Sequence, residues 1–356
     1  MPEQKIAEIA MTRDIMDLDA EQLASVIVSW GLPRFHAKQI FTWIYERGIF
    51  DFDAMSDLPR GLRRRLIEEC SAGTMRIEET RRSVDGTEKF LFKLVDGGMI
   101  EAVSIPASGR VTGCISSQVG CKFACRFCVS GAFGFQRDLS AGEMIEEALY
   151  LRHRSAAQSL THVVFMGSGE PLDNYDNVLR AVRMLNAKHG LNIGARRITI
   201  STNGLIPQIR RLAGEGLQIE LSVSLHAADE RTRSALMPVN KRYPLKDLIA
   251  ACRAYRQKTG RQVTFEYVLI RGVNSSLADA RKLGTILRGF DCKVNLIPLN
   301  AQADPGLAAP GRSETAAFRQ EVAKSGVPVT VRQPRGEDIE AACGQLRARH
   351  ERRVCA

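Results

Sequence analysis

The chain has 356 residues, 44% apolar and 25% charged, which is ordinary globular composition with material for one large domain with appendages or for two. No run approaches the ~20 apolar residues of a membrane span, and the opening MPEQKIAEIAMTRDIMDLDA lacks the apolar stretch of a secretory signal, so the cytosol is expected and no membrane partner. Lysine and arginine number 50 against 40 acids, a formal charge of +10 that suits a polyanionic partner, since neutralised phosphates release counterions; a solvated basic surface is the plainer alternative.

Residues 18–72 carry a helical pattern. DLDAEQLASVIVSWG begins with Asp17 or Asp19 as a cap, continues with apolar residues at helical spacing and stops at Gly31. PRFHAKQIFTWIYERG and DLPRGLRRRLIEECSAG follow in the same manner, the latter with Arg60, Arg63, Arg64 and Arg65 together. From about Thr80 to Ser108 the period becomes two: EKFLFKL and MIEAVSIP alternate around DGG, a hairpin signal.

From residue 111, short β-branched runs (VTGCISSQ, HVVFMG, RITIST, IELSVSL, VTFEYVLI, CKVNLIPL) alternate with helical stretches. Six such units predict an α/β fold with parallel strands and helices outside, doubly wound or barrel-like. In a barrel the working groups gather at the C-terminal ends of the strands. Residues 301–312 form an Ala/Gly/Pro-rich loop, and a last helix and strand precede GEDIEAACGQL.

Nine cysteines are many for a reducing compartment, where structural disulfides are rare. GCKFACRFC sets Cys121, Cys125 and Cys128 in a Cys-x3-Cys-x2-Cys pattern just after the first of the parallel strands. Three thiolates on a short loop can hold a [4Fe–4S] cluster with one iron left for another ligand. A zinc site would want a fourth Cys or His nearby, and the nearest histidine, His153, lies beyond the following helix. The alternatives are a zinc knuckle or buried cysteines. Phe123, Phe127, Phe133 and Phe135 could exclude water from this loop. MGSGEPL after the second strand offers Gly167 and Gly169 for close backbone approach and Glu170 as a carboxylate for an ammonium; alone it reads equally as a plain turn. Ser201, Ser224, Leu225, His226 and Asn300 close the third, fourth and sixth strands.

The triplet in its β/α setting resembles the radical S-adenosylmethionine (SAM) superfamily over about residues 110–300. TGCISSQVGCKFACRFC, MGSGEPL, SLHAADERTRSALMPVNKRYPL and RGEDIEAACGQL together resemble the RlmN/Cfr family of RNA adenine methyltransferases, over about residues 18–346. The resemblance implies a partial (β/α)6 TIM-like barrel, with a helical RNA-binding accessory domain at 1–77, a β-hairpin extension at 78–109, the barrel with its C-terminal catalytic loop at 110–346 and a basic tail at 347–356. It implies Cys121, Cys125 and Cys128 as cluster ligands, Cys343 as the methyl-accepting thiol, Cys114 as the thiol that resolves an RNA adduct, and Glu101 as a proton acceptor. Gly169, Glu170, Ser201, Ser224, Leu225, His226 and Asn300 would contact SAM.

The implied cofactors are a [4Fe–4S] cluster and two SAM molecules per turnover. The implied partners are 23S rRNA and tRNA, an electron donor and a disulfide reductant. GEPL and RGEDI favour the branch that methylates C2 of adenosine over the C8 branch. Ser168 is a departure, since the family usually has Met between the two glycines. A non-methylating radical SAM enzyme and an RNA-binding protein with a structural metal are the competing readings. Cys70, Cys252, Cys292 and Cys355 read as buried small hydrophobes.

Overall fold

A computed structural model describes residues 13–132, 134–157, 159–300, 306–339 and 344–354. The N-terminal unit starts with β1 (Arg13–Asp14), a strand of two residues. Asp19 caps α1 (Ala20–Ser29), and Gln22 returns the bond to complete a capping box. α2 (Phe35–Phe41) runs into a π-helical turn at Thr42–Glu46, and α3 (Arg60–Glu69) turns Leu62 and Leu66 into the core. β2 (Cys70–Ser71) pairs with β1, which brings the two ends of the unit together.

Next come β3 (Arg76–Arg82), β4 (Glu88–Lys93) and β5 (Met99–Ala107), an antiparallel meander. β6 (Arg110–Ile115) pairs antiparallel with β5 and parallel with the next barrel strand. A ribbon of β7 (Gln118–Gly120) and β8 (Phe135–Asp138) brackets the cysteine triplet and α4 (Val129–Ala132). Then follow α5 (Ala141–His153), β9 (His162–Phe165), α6 (Tyr175–Asn186), β10 (Ile198–Thr202), α7 (Ile206–Leu212), β11 (Glu220–Ser224) and α8 (Glu230–Leu236). α9 (Leu245–Thr259), β12 (Val263–Leu269), α10 (Leu277–Leu287), β13 (Cys292–Pro298), α11 (Arg312–Ala323), β14 (Val329–Val331) and α12 (Gln345–Val354) complete the chain.

The main sheet has ten strands in the order β14-β13-β12-β11-β10-β9-β6-β5-β4-β3. The six expected parallel strands lie side by side in chain order, each separated by a helix, which is the partial barrel; β14 adds a seventh. One strand face is buried and, but for Thr202, built from apolar side chains such as Ile198, Ile200, Leu221, Val223, Phe265, Val294 and Leu296. The alternate positions Thr199, Ser201, Ser222, Ser224, Glu266 and Asn295 are polar, so the inner face lines a site rather than a dry core.

Two expected boundaries change. The extension is three strands, not a hairpin, and it continues the barrel sheet; β3 went unread because RIEETRR has charges on both faces. The expected basic tail from 347 is part of α12, and Arg347 is buried, its guanidinium donating to the Met99 carbonyl at 3.1 Å.

The helical unit docks through carboxylates. Asp17 accepts the Gly142 amide at 2.7 Å, and Glu146 accepts the amides of Thr74 and Met75, both at 2.9 Å. Burial first, and neighbouring acids second, push Asp14 and Glu146 up to about 7, despite backbone hydrogen bonds that pull the other way. A carboxyl raised in the folded state contributes stability that is complete below its unfolded value near 4 and is lost as pH rises through about 7. Chemical denaturation should therefore show docking to weaken by on the order of a few kcal/mol from pH ~5 to ~8, and Asp14→Asn should flatten that dependence. An equally steep profile in the variant would remove Asp14 from this account.

Candidate active site

The three cysteines occupy the loop between β7 and α4. Cys121 and Cys125 are buried and Cys128 is half-buried. The loop is held at several points: the Cys121 amide donates to the Gly134 carbonyl, the Cys128 amide to the Cys125 carbonyl, and the Arg126 amide to the carbonyl of Leu236, the last residue of α8. Burial pushes the Cys121 thiol up to about 12 and Cys125 higher, and each is raised further by Cys128, so the three sulfurs feel one another. Among the described residues no three His, Cys, Asp or Glu side chains stand close enough to close on a single ion.

The glycine-rich turn packs against this loop. A Cβ on Gly167 would lie 2.7 Å from the Ile115 carbonyl, and one on Gly169, at φ +103°, would lie 2.6 Å from Gln118 Cβ and 2.8 Å from its amide nitrogen. Neither position admits a side chain without displacing backbone. Ser168 accepts the Gly120 amide at 3.2 Å through its hydroxyl, so the departure from the family pattern ties the turn to the strand entering the triplet. Glu170 is buried, with its carboxylate accepting the amides of Leu172 at 3.0 Å and Asn203 at 2.6 Å. Burial lifts it to about 7.

His226 is buried at φ 54°, and its Nδ1 accepts the Val268 amide at 3.0 Å, which puts the proton on Nε2. Burial, then the charge of Arg233, holds it down to about 3, so it is neutral near pH 7. Its ring meets Phe127 edge-on at 4.6 Å, between Cys125 and Cys128 in the chain. Phe123 packs on the same core, whereas Phe135 is exposed and Phe133 lies outside the described residues. Ser201 and Ser224 stand on the inner strand face; Leu225 is fully buried beside them.

Cys114 is buried on β6, in register with Val103 of β5 and Val164 of β9. It lines a cavity of about 410 Å³ together with Val103, Asn300, Arg332, Arg335 and Glu337. Glu170, Ser201 and His226 are not in that lining. Glu101, two residues before Val103 and on its face, accepts the Gly344 amide at 2.7 Å and the Arg347 amide at 2.6 Å, capping α12. Gly344 in turn abuts α4 just after the triplet, since a Cβ there would lie 2.9 Å from the Ser130 nitrogen, and Gln345 reaches Asn300 at 3.3 Å. Cys343 and Cys355 lie outside the described residues; Cys70, Cys252 and Cys292 are buried as expected.

Several contributors are not evident from spacing. Arg233 on α8 is fully buried and donates to Leu225, Ser224 and Asn203 carbonyls at 3.2, 3.1 and 2.9 Å, joining the exits of β10 and β11. Glu266 accepts Ser222 and Asn295 inside the barrel; a charge in the middle of VTFEYVLI was the available signal.

The donor set suits an iron–sulfur cluster and SAM. Cys121 and Cys125, raised by burial and by the neighbouring Cys128, are thiols that cationic irons would deprotonate. Ser130 Oγ and Gln345 Oε1 are buried beside the loop without a partner among the described residues, and the Glu170 carboxyl has the buried acceptor character an ammonium would satisfy.

The fold and this loop define a radical SAM enzyme: residues 115–283 match the radical SAM superfamily model. Residues 13–72 match the ribosomal RNA large subunit methyltransferase N-terminal domain. The chain belongs to the RlmN family of radical SAM RNA methyltransferases. It is 42% identical over 344 residues to the dual-specificity RNA methyltransferase RlmN of Anaeromyxobacter dehalogenans, covering 95% of this chain and 92% of that one. It is 44% identical over 343 residues to a probable dual-specificity RNA methyltransferase RlmN of Heliobacterium modesticaldum, covering 94% and 89%. A crystal structure of a radical SAM methyltransferase from Sphaerobacter thermophilus superposes with a TM-score of 0.91 at 46% identity, over 94% of this chain and 98% of that one.

Proposed function

We propose that this enzyme adds a methyl group to C2 of adenosine in 23S rRNA and tRNA, and does so through a methyl carried on Cys343. One observation carries the reading. Gly344, which follows Cys343 in the chain, is held between Glu101 on the sheet face of Cys114 and Ser130 on α4, two residues after Cys128. That contact supports a reading in which Cys343 works beside Cys114 and the triplet.

A ring carbon bearing hydrogen in adenine is electron-poor and does not displace methyl from a sulfonium. The Cys343 thiolate does so in its stead, giving S-methylcysteine and S-adenosylhomocysteine. Cys121, Cys125 and Cys128 would hold a [4Fe–4S] cluster, and SAM bound beside it would supply the 5′-deoxyadenosyl radical chemistry that takes one hydrogen from that methyl. The methylene carbon on Cys343 would add to C2, and rearomatisation to the thioether would release the ring proton to a base and one electron back to the cluster that had supplied one. Glu101 is the candidate acceptor of that proton once its amide partners release it. Cys114 then attacks the Cys343 sulfur; the S–C bond breaks, the carbon takes a proton, and methylated RNA leaves a Cys114–Cys343 disulfide. An external thiol reductant restores both thiols. Glu170, Gly169, Ser201, Ser224, Leu225, His226 and Asn300 are the groups for SAM, and ribosomal RNA sets the work in the cytoplasm.

Nucleoside mass spectrometry of rRNA and tRNA from a deletion strain tests the activity. The expected result is loss of 2-methyladenosine from both, restored by the gene; loss of 8-methyladenosine instead would assign the C8 branch. The accessory unit offers the polyanion contact. On α3, Arg63 donates to the Asp53 carbonyl and Arg65 lies over Trp30 at 4.7 Å, while Arg60 and Arg64 are exposed, Arg64 paired with Glu68 at 3.1 Å. Reversing Arg60 and Arg64 to Glu should weaken RNA binding several-fold and flatten its salt dependence. Unchanged binding would make α3 a solvated face only.

A further inference from the structure

Asn203 directly follows β10 and stands where three parts of the site meet. Its backbone amide donates to the Glu170 carboxylate at 2.6 Å, and its carbonyl accepts Arg233 Nη2 at 2.9 Å. The backbone is thus held from both sides, by the candidate group for the SAM ammonium and by a fully buried guanidinium. Gly204 shapes the turn that follows: its φ of +103° is one that side-chain-bearing residues rarely adopt, and a Cβ there would lie 2.9 Å from Leu248.

With its backbone fixed, the half-buried Asn203 side chain is aimed at the triplet: Oδ1 lies 4.0 Å from Cys125 Sγ, with the thiol as donor. A thiol meets an amide oxygen, but a thiolate only accepts and calls for the other end of the same amide. A half-turn about the Cβ–Cγ bond exchanges the two ends, which are nearly equal in size.

We propose that Asn203 tunes the reduction potential of the cluster by donating its side-chain N–H to the Cys125 sulfur once that sulfur is an iron-bound thiolate. Reduction brings one electron from the external donor and makes or breaks no bond, so the sulfurs become more negative. An N–H dipole aimed at one of them stabilises the reduced form over the oxidised form. Cys125 belongs to the apolar core, where low polarity enlarges that effect. Asn203 acts through the cluster and is a positioning residue for the radical step. The inference rests on the reading of Cys121, Cys125 and Cys128 as cluster ligands.

The test is a redox titration of the full-length, cluster-loaded enzyme followed by electron paramagnetic resonance, comparing the wild type with Asn203→Leu and Asn203→Asp. Both substitutions keep the size of the side chain and remove its donor, so lost packing does not enter. SAM is left out, so that a change at Glu170 does not enter either, and iron and sulfide content is the folding control. At a fixed poise the ratio of reduced to oxidised cluster should fall several-fold in Asn203→Leu, towards about tenfold, which is 59 mV for one electron. Asn203→Asp, measured at alkaline pH so that the carboxyl is ionised, should fall further because it sets a negative charge beside the sulfur. If the ionised aspartate prevents cluster uptake, Asn203→Leu decides alone. A native potential in either variant at full iron content would overturn the proposal, and Asn203 would then serve only to hold Glu170 through its backbone. A Cys125→Ala enzyme that keeps a full cluster would overturn the ligand reading, and this inference with it.

Discussion

Cys114→Ala should acquire the Cys343 methyl group at the native rate and then stop, with RNA covalently attached to the protein. The step it lacks is attack of a thiolate on the Cys343 sulfur, which forms the S–S bond while the S–C bonding pair leaves with the carbon. Multiple turnover should fall to about a thousandth or less, as expected when a group that makes or breaks a covalent bond is removed. Cys343→Ala should show the same loss of turnover with no adduct, because nothing carries the methyl. The pair therefore separates two steps that single activity measurements merge. Gel electrophoresis under denaturing conditions with labelled RNA reads the adduct directly. Free turnover in Cys114→Ala would mean that another thiol resolves the intermediate. Cys114 shares its sheet face with Val103 and Glu101, which is why this thiol and not Cys70, Cys252 or Cys292 is the candidate.

Arg233→Met should be the most destabilising single substitution near the site, by roughly 3–5 kcal/mol. The arginine is fully buried, and besides the strand-end carbonyls it donates to Asn240 Oδ1 at 2.7 Å, which passes the contact to Glu230. Burial lowers its pKa to about 10, still high enough to remain cationic near neutrality. Methionine fills the volume but leaves several buried oxygens without donors, each a cost of about 1–3 kcal/mol before relaxation. The same charge favours the Cys125 thiolate, so iron retention should fall together with stability. Urea unfolding and iron content measure both. A loss below about 1 kcal/mol would show that water replaces the guanidinium readily.

The sequence made the barrel legible because its strands are short β-branched runs in strict alternation with helices, and parallel strands in chain order follow from that pattern. Capping is equally local: Asp19 with Gln22, and Ser140 with Glu143, are readable within four residues. The triplet is legible because ligand spacing lies within one loop. What was hidden depends on long-range placement. Lys89 reads as an exposed alternate position of EKFLFK until Glu101 of β5 meets it in the buried sheet, and Arg233 in ADERTRSAL reads as a solvated helix residue until the exits of β10 and β11 converge on it. β3 was obscured by charges on both faces, two of which, Arg81 and Glu79, pair on the strand itself. Arg347 was assigned to a tail because α12 has little apolar character, and Glu101 caps it from far away in the chain.

The measurement that bears most directly on the central claim uses SAM deuterated in its methyl group, cluster-loaded enzyme and unmodified 23S rRNA. If the methyl travels through Cys343, one deuterium is lost to the deoxyadenosyl radical and one hydrogen is gained when the adduct is resolved. The account predicts 2-methyladenosine whose methyl carries one hydrogen beside its remaining deuteriums, with the missing deuterium found in 5′-deoxyadenosine. A methyl transferred with its deuterium intact would mean direct displacement onto the base and would contradict the two-cysteine route.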